Sequence, residues 1–501
     1  MPTYIQYLGI SPRILSESYS KVINHMFPIL NQPYISKYNE INNNNNNVIS
    51  IPIRLGIISE DEMNSSPGLC FTQIFSRIII QSIERNDGRE IEIIYFARIN
   101  SLTVFANLAM KTANKVIFLN LQNFQESYHS ILNENLDVLL YLGLPTNDKY
   151  TSFLSQMRLA PIQLQFGVGH PLTSGSLVID YTITSSLYQD MSYMNNKEIN
   201  ADMCLSLLKS NNNDDFHSIC NIQGPSANTY VEQLVLFDTL SYFIRDPVKY
   251  YKGANNFLNT RTIKLATLTQ CQDLDDYLNN IQLSNWNITS TSLGCNSSNN
   301  NESNSNSIRL YMLIQTSRKI HPLMDEAILQ ILNSDSGARI IVNKASKNVL
   351  VYRTSKLAPL YLNDVMSRVI PIENRMEHKN YLKLLSLSSV FLNPFPYGSG
   401  ITSAEAIAFC IPIIVYPKAI SYTQLALGQL RMLQLPSNIE ELYIANSITD
   451  YAKKAVRAAI QRQQYNKDHY CINNNKDKLF SAVHLEDTVN EWIDFLRNII
   501  I

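Results

Sequence analysis

The sequence predicts an α/β protein with parallel sheets covered by helices, because short apolar runs alternate with helical segments through both halves of the chain. A second observation is the stretch Phe391–Tyr416, which has the pattern strand, glycine-containing turn, helix and strand. The third is size, since 501 residues correspond to roughly two to four domains. We therefore expect several α/β domains, one of them with a nucleotide-binding pattern.

In that stretch, the apolar run Val390–Leu392 predicts one buried strand and Pro412–Tyr416 predicts the next. Thr402 or Ser403 is expected to cap the helix between them, with Glu405 in the first helical turn. The unpaired N–H groups and the dipole of such a helix end attract anions.

The turn before this helix contains Gly398 and Gly400, which would let the backbone approach a phosphate without a Cβ in the way. Glu405, one turn into the helix, could accept hydrogen bonds from ribose hydroxyls. An ordinary bend tightened by glycines accounts for the same spacing. The pattern alone leaves both interpretations open.

Composition excludes several classes of protein. Charged residues make up 17% and the net charge is −1, so nothing indicates a nucleic-acid or membrane-surface partner. No apolar stretch approaches the roughly 18 residues that span a bilayer, and the start lacks a signal-peptide pattern. The seven cysteines contain no CxxC pair, which argues against a disulfide framework and a zinc site. We expect a soluble cytoplasmic protein.

The first half is predicted to begin with a strand at residues 51–58 and a helix around Leu69–Glu84. Further predicted elements are strands at Glu90–Ala97, Lys115–Asn120, Asp137–Leu142 and Ile308–Ile314, and helices at Ile448–Gln464 and Val483–Ile500. Two polar tracts, Asn42–Asn47 and Asn285–Ser307, are predicted to be a disordered spacer and an interdomain connection or surface insertion.

A family resemblance appears in Phe153–Thr184 together with LNPFPYG at 392–398. The matching motifs are RLAPIQ from 158, GHP from 169, TSG from 173, IDY from 179 and YVEQL from 230. They resemble the catalytic region shared by nucleocytoplasmic O-linked N-acetylglucosamine transferases and bacterial cytosolic N-glucosyltransferases, which form glycosyltransferase family 41. The resemblance covers roughly residues 54–457, without the asparagine-rich insertion.

The resemblance implies a GT-B fold, in which two Rossmann-like domains face each other across a cleft, here with a short helical N-terminal extension. The implied parts are an extension at 1–50, an acceptor-side domain at 51–265, a crossover and insertion at 266–307, a UDP-sugar domain at 308–480 and a C-terminal helix at 481–501, which packs back across the two domains. The resemblance also implies inverting transfer without a metal or other cofactor.

For the donor site, KIHP from 319 resembles the family's lysine motif. The resemblance implies that Lys319 contacts the UDP diphosphate, with Thr316 and Arg318 beside it. A fixed cation there would stabilise the leaving group as it gains negative charge. A lysine in this position without the motif would ordinarily be a solvated charge at a helix start.

The resemblance also places Thr402 at the diphosphate and Glu405, where the family has aspartate, at the ribose. Gly400 and Ile401 stand where relatives have polar residues, so backbone N–H groups must contribute more. His378 lies near a family position close to the uracil, although a lone histidine beside a helix is more often a surface or core residue.

For the acceptor side, His170 is the better catalytic candidate, because it lies in a glycine- and proline-containing loop with Pro171 and near Thr173. Glu60 or Asp61 could orient or deprotonate an acceptor hydroxyl, although acidic loop residues more often face water.

We therefore expect a cytoplasmic enzyme that moves GlcNAc or glucose from UDP-GlcNAc or UDP-glucose to Ser/Thr or Asn side chains of an acceptor protein. A catalytically degenerate relative that binds UDP-sugar or a partner stays open, as does an enzyme acting on a small molecule. No repeat of about 34 residues is found, so acceptor recognition is expected to use the cleft, a partner or the insertion.

Overall fold

The structure is a computed structural model of the chain. It describes residues 17–18, 20–22, 51–58, 66–98, 109–120, 123–144, 149–166, 173–188, 231–250, 279, 308–372, 376–395, 398–416, 424–436, 441–464 and 473–500. Both predicted polar tracts and most of the predicted N-terminal extension lie outside these residues.

The described strands all belong to two sheets. In chain order they are β1 (Ile53–Ile58), β2 (Ile91–Arg98), β3 (Lys115–Leu119), β4 (Val138–Tyr141), β5 (Ile162–Phe166), β6 (Tyr181–Ser185), β7 (Gln233–Phe237), β8 (Arg309–Leu313), β9 (Ala338–Asn343), β10 (Val369–Ile372), β11 (Val390–Leu392) and β12 (Ile413–Ile414).

The described α-helices cover and connect these strands. They are α1 (Ser66–Glu84), α2 (Phe124–Leu132), α3 (Lys149–Leu154), α4 (Pro247–Tyr250), α5 (Pro322–Ser334), α6 (Lys344–Leu357), α7 (Leu362–Arg368), α8 (His378–Leu387), α9 (Ile401–Ala408), α10 (Leu425–Met432), α11 (Ile448–Gln464), α12 (Asn473–Phe480) and α13 (Ala482–Ile499).

The chain divides into two compact units. Unit 1 combines residues 1–244 with residues 479–501, and unit 2 comprises residues 245–478. The helix α13 therefore packs into unit 1, although it follows unit 2 in the sequence.

Unit 1 contains a seven-stranded sheet in the order β3-β2-β1-β4-β5-β6-β7, and every neighbouring pair is parallel. The inner strands β1, β2, β4, β5 and β6 are largely buried, as expected when helices cover both faces of a parallel sheet, whereas the edge strands β3 and β7 are partly exposed. Trp492 of α13 completes this core, since it is fully buried and donates from Nε1 to the Ser241 carbonyl at 3.0 Å.

Unit 2 contains a five-stranded sheet in the order β10-β9-β8-β11-β12, also parallel throughout. Helices α5 and α11 pack against each other on it. The two parallel sheets agree with the α/β class predicted from the alternating apolar runs.

Two further features concern the described helices and cysteines. None of the described helices combines the length and apolar character that a membrane crossing needs. Cys410 takes part in a disulfide, whereas Cys70 is a buried free thiol. One disulfide is not a framework of several bridges, so the expectation against such a framework stays a prediction.

Candidate functional site

The strand order of unit 2 places a candidate site at the carboxyl ends of β8 and β11. These two strands are neighbours, and the strand order reverses between them. In open parallel sheets the crevice at such a reversal is where ligands bind. The loop after β8 carries Thr316 and Lys319, and the loop after β11 carries Gly398 and Gly400.

The loop after β11 is held by Asn393, whose Oδ1 accepts hydrogen bonds from Ser399 N at 2.8 Å and Ser399 Oγ at 2.7 Å. Its carbonyl accepts from the Tyr451 hydroxyl at 3.0 Å. Gly398 has φ of +69°, a conformation that suits glycine. The Asn393 Nδ2 group is buried without an acceptor among the described residues, so a polar donor remains at this turn.

The helix α9 begins at Ile401, and its cap is Gly400, which provides no side-chain hydrogen bond. The prediction of Thr402 or Ser403 as the cap was therefore wrong, and Glu405 lies just beyond the first turn. Ser403 Oγ instead bonds back to the carbonyls of Ser399 and Gly400 at 2.8 and 2.7 Å. The first N–H groups of α9 are left without a side-chain cap.

Gly400 also lies in a tight environment. A Cβ at this position would come within 2.9 Å of Leu425 Cδ1, and Gln429 Nε2 donates to the Gly400 carbonyl at 2.9 Å. The glycine thus allows α10 to pack close to the start of α9. A side chain here would have to displace the end of the Leu425 side chain, so glycine favours this packing whatever ligand the turn binds.

A hydrogen bond joins the two loops of the site. Gln315, directly after β8, is buried, and its Nε2 donates to Thr402 Oγ1 at 2.8 Å. The Gln315 carbonyl accepts from Asn343 Nδ2 at 2.9 Å and from Ser346 Oγ at 3.0 Å. The loops after β8, β9 and β11 are therefore tied together at one edge of the sheet.

Lys319 closes a 3₁₀ turn, Ser317–Lys319, in which its N–H donates to the Thr316 carbonyl at 2.9 Å. Thr316 is exposed, Arg318 is the middle residue of the turn, and Lys319 is half-buried. Burial lowers the pKa of the Lys319 ammonium from 10.5 to about 8. A desolvated cation of this kind gains more from an anionic ligand than a fully hydrated one.

The last two residues of the KIHP motif, His321 and Pro322, have a structural role at the start of α5. His321 caps α5 by accepting from Leu323 N through Nδ1 at 3.1 Å, and Pro322 occupies the first helical position. Burial and the Arg353 charge lower the pKa of His321 to about 4, so the ring stays neutral and can accept this bond. The motif fixes where the 3₁₀ turn ends and thereby where Lys319 lies.

The pKa of Lys319 predicts how the affinity for a diphosphate depends on pH. Because an anion favours the ammonium form, UDP affinity should be near its maximum at pH 7 and fall as the pH rises through about 8. The slope should approach tenfold per pH unit. Calorimetric titrations between pH 7 and 9 test this; Lys319→Arg, which stays charged, should remove the slope. An equal slope in both proteins would contradict the prediction.

His378 and Glu405 are brought together by the packing of α8 against α9. His378 Nε2 lies 2.5 Å from Glu405 Oε1, and the imidazole stacks on Tyr381 with ring centroids 6.0 Å apart and planes at 20°. The His378 side chain is 42% exposed, whereas that of Glu405 is 3% exposed. The His378 side chain is therefore partly exposed, and its Nε2 lies against the buried Glu405 carboxylate.

The second oxygen of Glu405 is the unusual feature of this pair. Oε2 is buried without a hydrogen-bond partner among the described residues, and the buried Tyr381 hydroxyl beside it does not reach hydrogen-bond geometry. Burial raises the pKa of the Glu405 carboxyl, while the His378 hydrogen bond acts in the opposite direction. A buried acceptor of this kind suits a ligand hydroxyl.

In unit 1, Thr173 is fully buried and belongs to a polar cluster around Glu232. Thr173 Oγ1 donates to Glu232 Oε2 at 2.6 Å, and Ser174 N and Oγ both donate to Oε1. Burial raises the pKa of Glu232. Glu232 precedes β7, so this cluster lies at the amino ends of the strands, opposite the edge where such sheets bind ligands. The predicted residues Glu60, Asp61, His170 and Pro171 lie outside the described residues.

The described residues contain no group of three or more His, Cys, Asp or Glu side chains arranged to hold a metal ion. Metal-independent chemistry stays a prediction.

Two residues of the site, Gln315 and Tyr381, were missed from the sequence. Each acts on a partner more than 20 positions away in the chain, and no local pattern marks such a contact.

Comparison with known proteins is informative at the level of the fold. The sequence matches no family model, and no curated protein matches it. A point mutant of the Thermobaculum terrenum O-GlcNAc transferase is similar in structure, with a TM-score of 0.59 and 12% identity over 97% of this chain and 74% of that one.

Two further similar structures are the Anabaena protein HepE in complex with UDP and glucose, and the Neisseria meningitidis UDP-GlcNAc 2-epimerase bound to UDP-GlcNAc. They have TM-scores of 0.41 and 0.33, identities of 10% and 12%, and cover 89% and 87% of this chain and 100% and 99% of theirs. Scores this low carry no argument. The first similarity confirms the GT-B fold class and agrees with the resemblance found in the motifs.

Proposed function

We propose that the protein is an inverting glycosyltransferase that moves a single GlcNAc or glucose from a UDP-sugar to Ser/Thr or Asn side chains of proteins. The observation that carries the proposal is the hydrogen bond between Gln315 and Thr402, because it joins the predicted diphosphate-binding loops at the strand reversal of unit 2. The motif resemblance and the similarity in fold to an O-GlcNAc transferase support it.

In this function the diphosphate lies against Lys319, Thr402 and the uncapped N–H groups of α9. The bond from the sugar to the diphosphate breaks with development of negative charge on the departing UDP. A fixed cation, a hydroxyl and a helix N-terminus stabilise that charge more in the transition state than before it. This set of groups would serve the leaving group without a metal or other cofactor.

The His378–Glu405 pair would contact the uridine of the donor. The partly exposed His378 imidazole suits a contact with a planar ring, and the unpartnered Glu405 Oε2 suits a ribose hydroxyl. Glu405 stands where the family has aspartate, and its Oε1 is hydrogen-bonded to His378. Gly398 keeps the intervening turn free of a side chain.

The acceptor side is proposed from the sequence resemblance. His170, with Pro171, is the candidate for acid–base chemistry on the acceptor, and Glu60 and Asp61 are the alternatives. Thr173, which is buried on Glu232, would contribute by holding its loop.

The test is UDP binding and sugar transfer by the purified chain. Calorimetry should show binding of UDP but much weaker binding of ADP. UDP-glucose and UDP-GlcNAc are then supplied with a peptide containing Asn-x-Thr, a Ser/Thr-rich peptide, and a small-molecule sugar acceptor. UDP release coupled to a mass increase of one hexose or one N-acetylhexosamine on a peptide is expected. Absence of UDP binding would refute the proposal.

The second candidate is a catalytically degenerate relative that binds UDP-sugar or a protein partner. One observation favours it. Glu405 is already hydrogen-bonded to His378, and the neighbouring Gly400 and Ile401 offer no polar side chain to a ligand. UDP binding without turnover on any acceptor, including a cell lysate, would select it.

A further inference from the structure

We infer that Gln315 is a positioning residue, which orients the Thr402 hydroxyl so that its hydrogen points toward a bound diphosphate. The inference rests on the proposed function, since it assigns a role within the same donor site. The bond from Gln315 Nε2 to Thr402 Oγ1, at 2.8 Å, is its structural basis.

The direction of this bond decides what Thr402 can do. A hydroxyl has one hydrogen to donate and two lone pairs to accept with. Because Gln315 occupies a lone pair of Oγ1, the hydroxyl hydrogen is directed away from the amide. Among the described residues, Thr402 donates this hydrogen to no acceptor, and the side chain is half-buried, so a ligand could reach it.

The neighbouring hydroxyl provides a contrast within the same helical turn. Ser403 is fully buried, and its hydroxyl donates to the carbonyls of Ser399 and Gly400. Its hydrogen is therefore used inside the protein, as is common for serine in helices. Of these two hydroxyl groups on α9, that of Thr402 is the one available to donate a hydrogen bond to a ligand.

Gln315 is itself firmly placed, which an orienting residue requires. Its carbonyl accepts two hydrogen bonds, from Asn343, the last residue of β9, and from Ser346, in the first turn of α6. These bonds use the main chain of Gln315, so a change of its side chain leaves them intact. Gln315 is thus held in place by residues at the end of β9, and its amide acts on α9, which follows β11.

The experiment measures UDP and uridine affinities of the wild type, Gln315→Met, Thr402→Val and the double variant. Methionine is similar in size to glutamine and has no donor. UDP binding should weaken about 5- to 20-fold in Gln315→Met and about 10- to 100-fold in Thr402→Val, the range for a hydrogen bond to a charged group. Uridine, which has no phosphate, should bind all four proteins within twofold.

The double variant supplies the decisive comparison, because a residue that acts through Thr402 has nothing to orient once the hydroxyl is gone. Gln315→Met should then weaken UDP binding by less than twofold in the Thr402→Val background. Equal losses in both backgrounds would overturn the inference, as would a parallel loss of uridine affinity. Gln330→Met, which removes an amide that donates to Glu326 within α5, is the matched control and should bind UDP as the wild type does.

Two results separate the inference from the function on which it rests. If the wild type binds no UDP, the proposed function and the inference both fail. If the wild type binds UDP and Gln315→Met binds it equally well, the inference alone fails. Thermal unfolding of each variant shows whether the fold is kept, and we expect Gln315→Met to unfold within a few degrees of the wild type.

Discussion

Replacement of Lys319 by methionine should lower kcat for sugar transfer by about 10²–10³-fold, the cost of removing one preorganised group that stabilises a developing anion. KM for the UDP-sugar should rise much less, because the lysine interacts most strongly with the charge that appears in the transition state. Methionine keeps the length of the side chain, so the 3₁₀ turn Ser317–Lys319 is unaffected in its main-chain bonds.

The effect should not come from unfolding. Burial lowers the pKa of the Lys319 ammonium, so the folded chain disfavours its charged form, and an uncharged side chain removes that cost. The melting temperature of Lys319→Met should therefore equal or exceed that of the wild type.

The matched control for this variant is Lys356→Met, in the last turn of α6. Lys356 is exposed, and α6 is 14 residues, or about 21 Å, long. Because α6 starts at the carboxyl end of β9, Lys356 lies far from the site edge. Its replacement should leave kcat unchanged. A kcat of Lys319→Met within threefold of the wild type would remove the lysine from the catalytic machinery.

Replacement of Trp492 by alanine should lower the free energy of unfolding of unit 1 by about 3–5 kcal/mol. The indole is fully buried and makes edge contacts with Phe71 and Phe237, each with ring centroids 5.3 Å apart. Its Nε1 also donates to the Ser241 carbonyl at 3.0 Å, a bond that alanine cannot replace.

Native-state hydrogen exchange is the suitable measurement, because it reports each unit separately. Amides of β1 and β4 in unit 1 should exchange faster by a factor of 10² or more, while those of β8 and β9 in unit 2 should not change. Val483→Ala on the same helix is the control, since Val483 is 65% exposed and should cost little. Equal acceleration in both units would contradict the assignment of α13 to unit 1.

The sequence allows the elements with a strong local pattern to be predicted closely. The predicted strand Val390–Leu392 and the predicted helix Ile448–Gln464 coincide with β11 and α11. The strand predicted at Pro412–Tyr416 shrinks to Ile413–Ile414, because Val415 makes only an isolated bridge to Ile444. Apolar runs in the sequence predict which residues are buried more reliably than they predict the last hydrogen-bonded residue of a strand.

Strand β5 was not predicted, and its glutamines explain why. Gln163 and Gln165 alternate with apolar residues as if one face were solvated, yet both are fully buried. Gln163 Nε2 donates to the carbonyls of Met157 and Val178 at 3.0 and 2.9 Å, and Oε1 accepts from Leu159 N at 2.6 Å. The amide of Gln163 therefore looks polar in the sequence, although its hydrogen bonds are made inside the protein.

The candidate site shows the same limit. The positions of Lys319, Thr402 and Glu405 follow from the motifs, but the bonds that set their chemistry do not. The Gln315–Thr402 bond spans 87 positions and the His378–Glu405 contact spans 27. The pairing of β8 with β11 brings Gln315 and Thr402 together, and the packing of α8 against α9 brings His378 to Glu405.

The division of unit 1 between two separated segments affects how the chain can fold during translation. Residues 479–501 emerge from the ribosome only after the whole of residues 245–478, which takes about 10–50 s at ordinary elongation rates of roughly 5–20 residues per second. Unit 2 can reach its native state in that time. The nascent sheet of unit 1 meanwhile has no Trp492 to cover Phe71 and Phe237, so it is the part of the newborn chain that chaperones would be expected to protect.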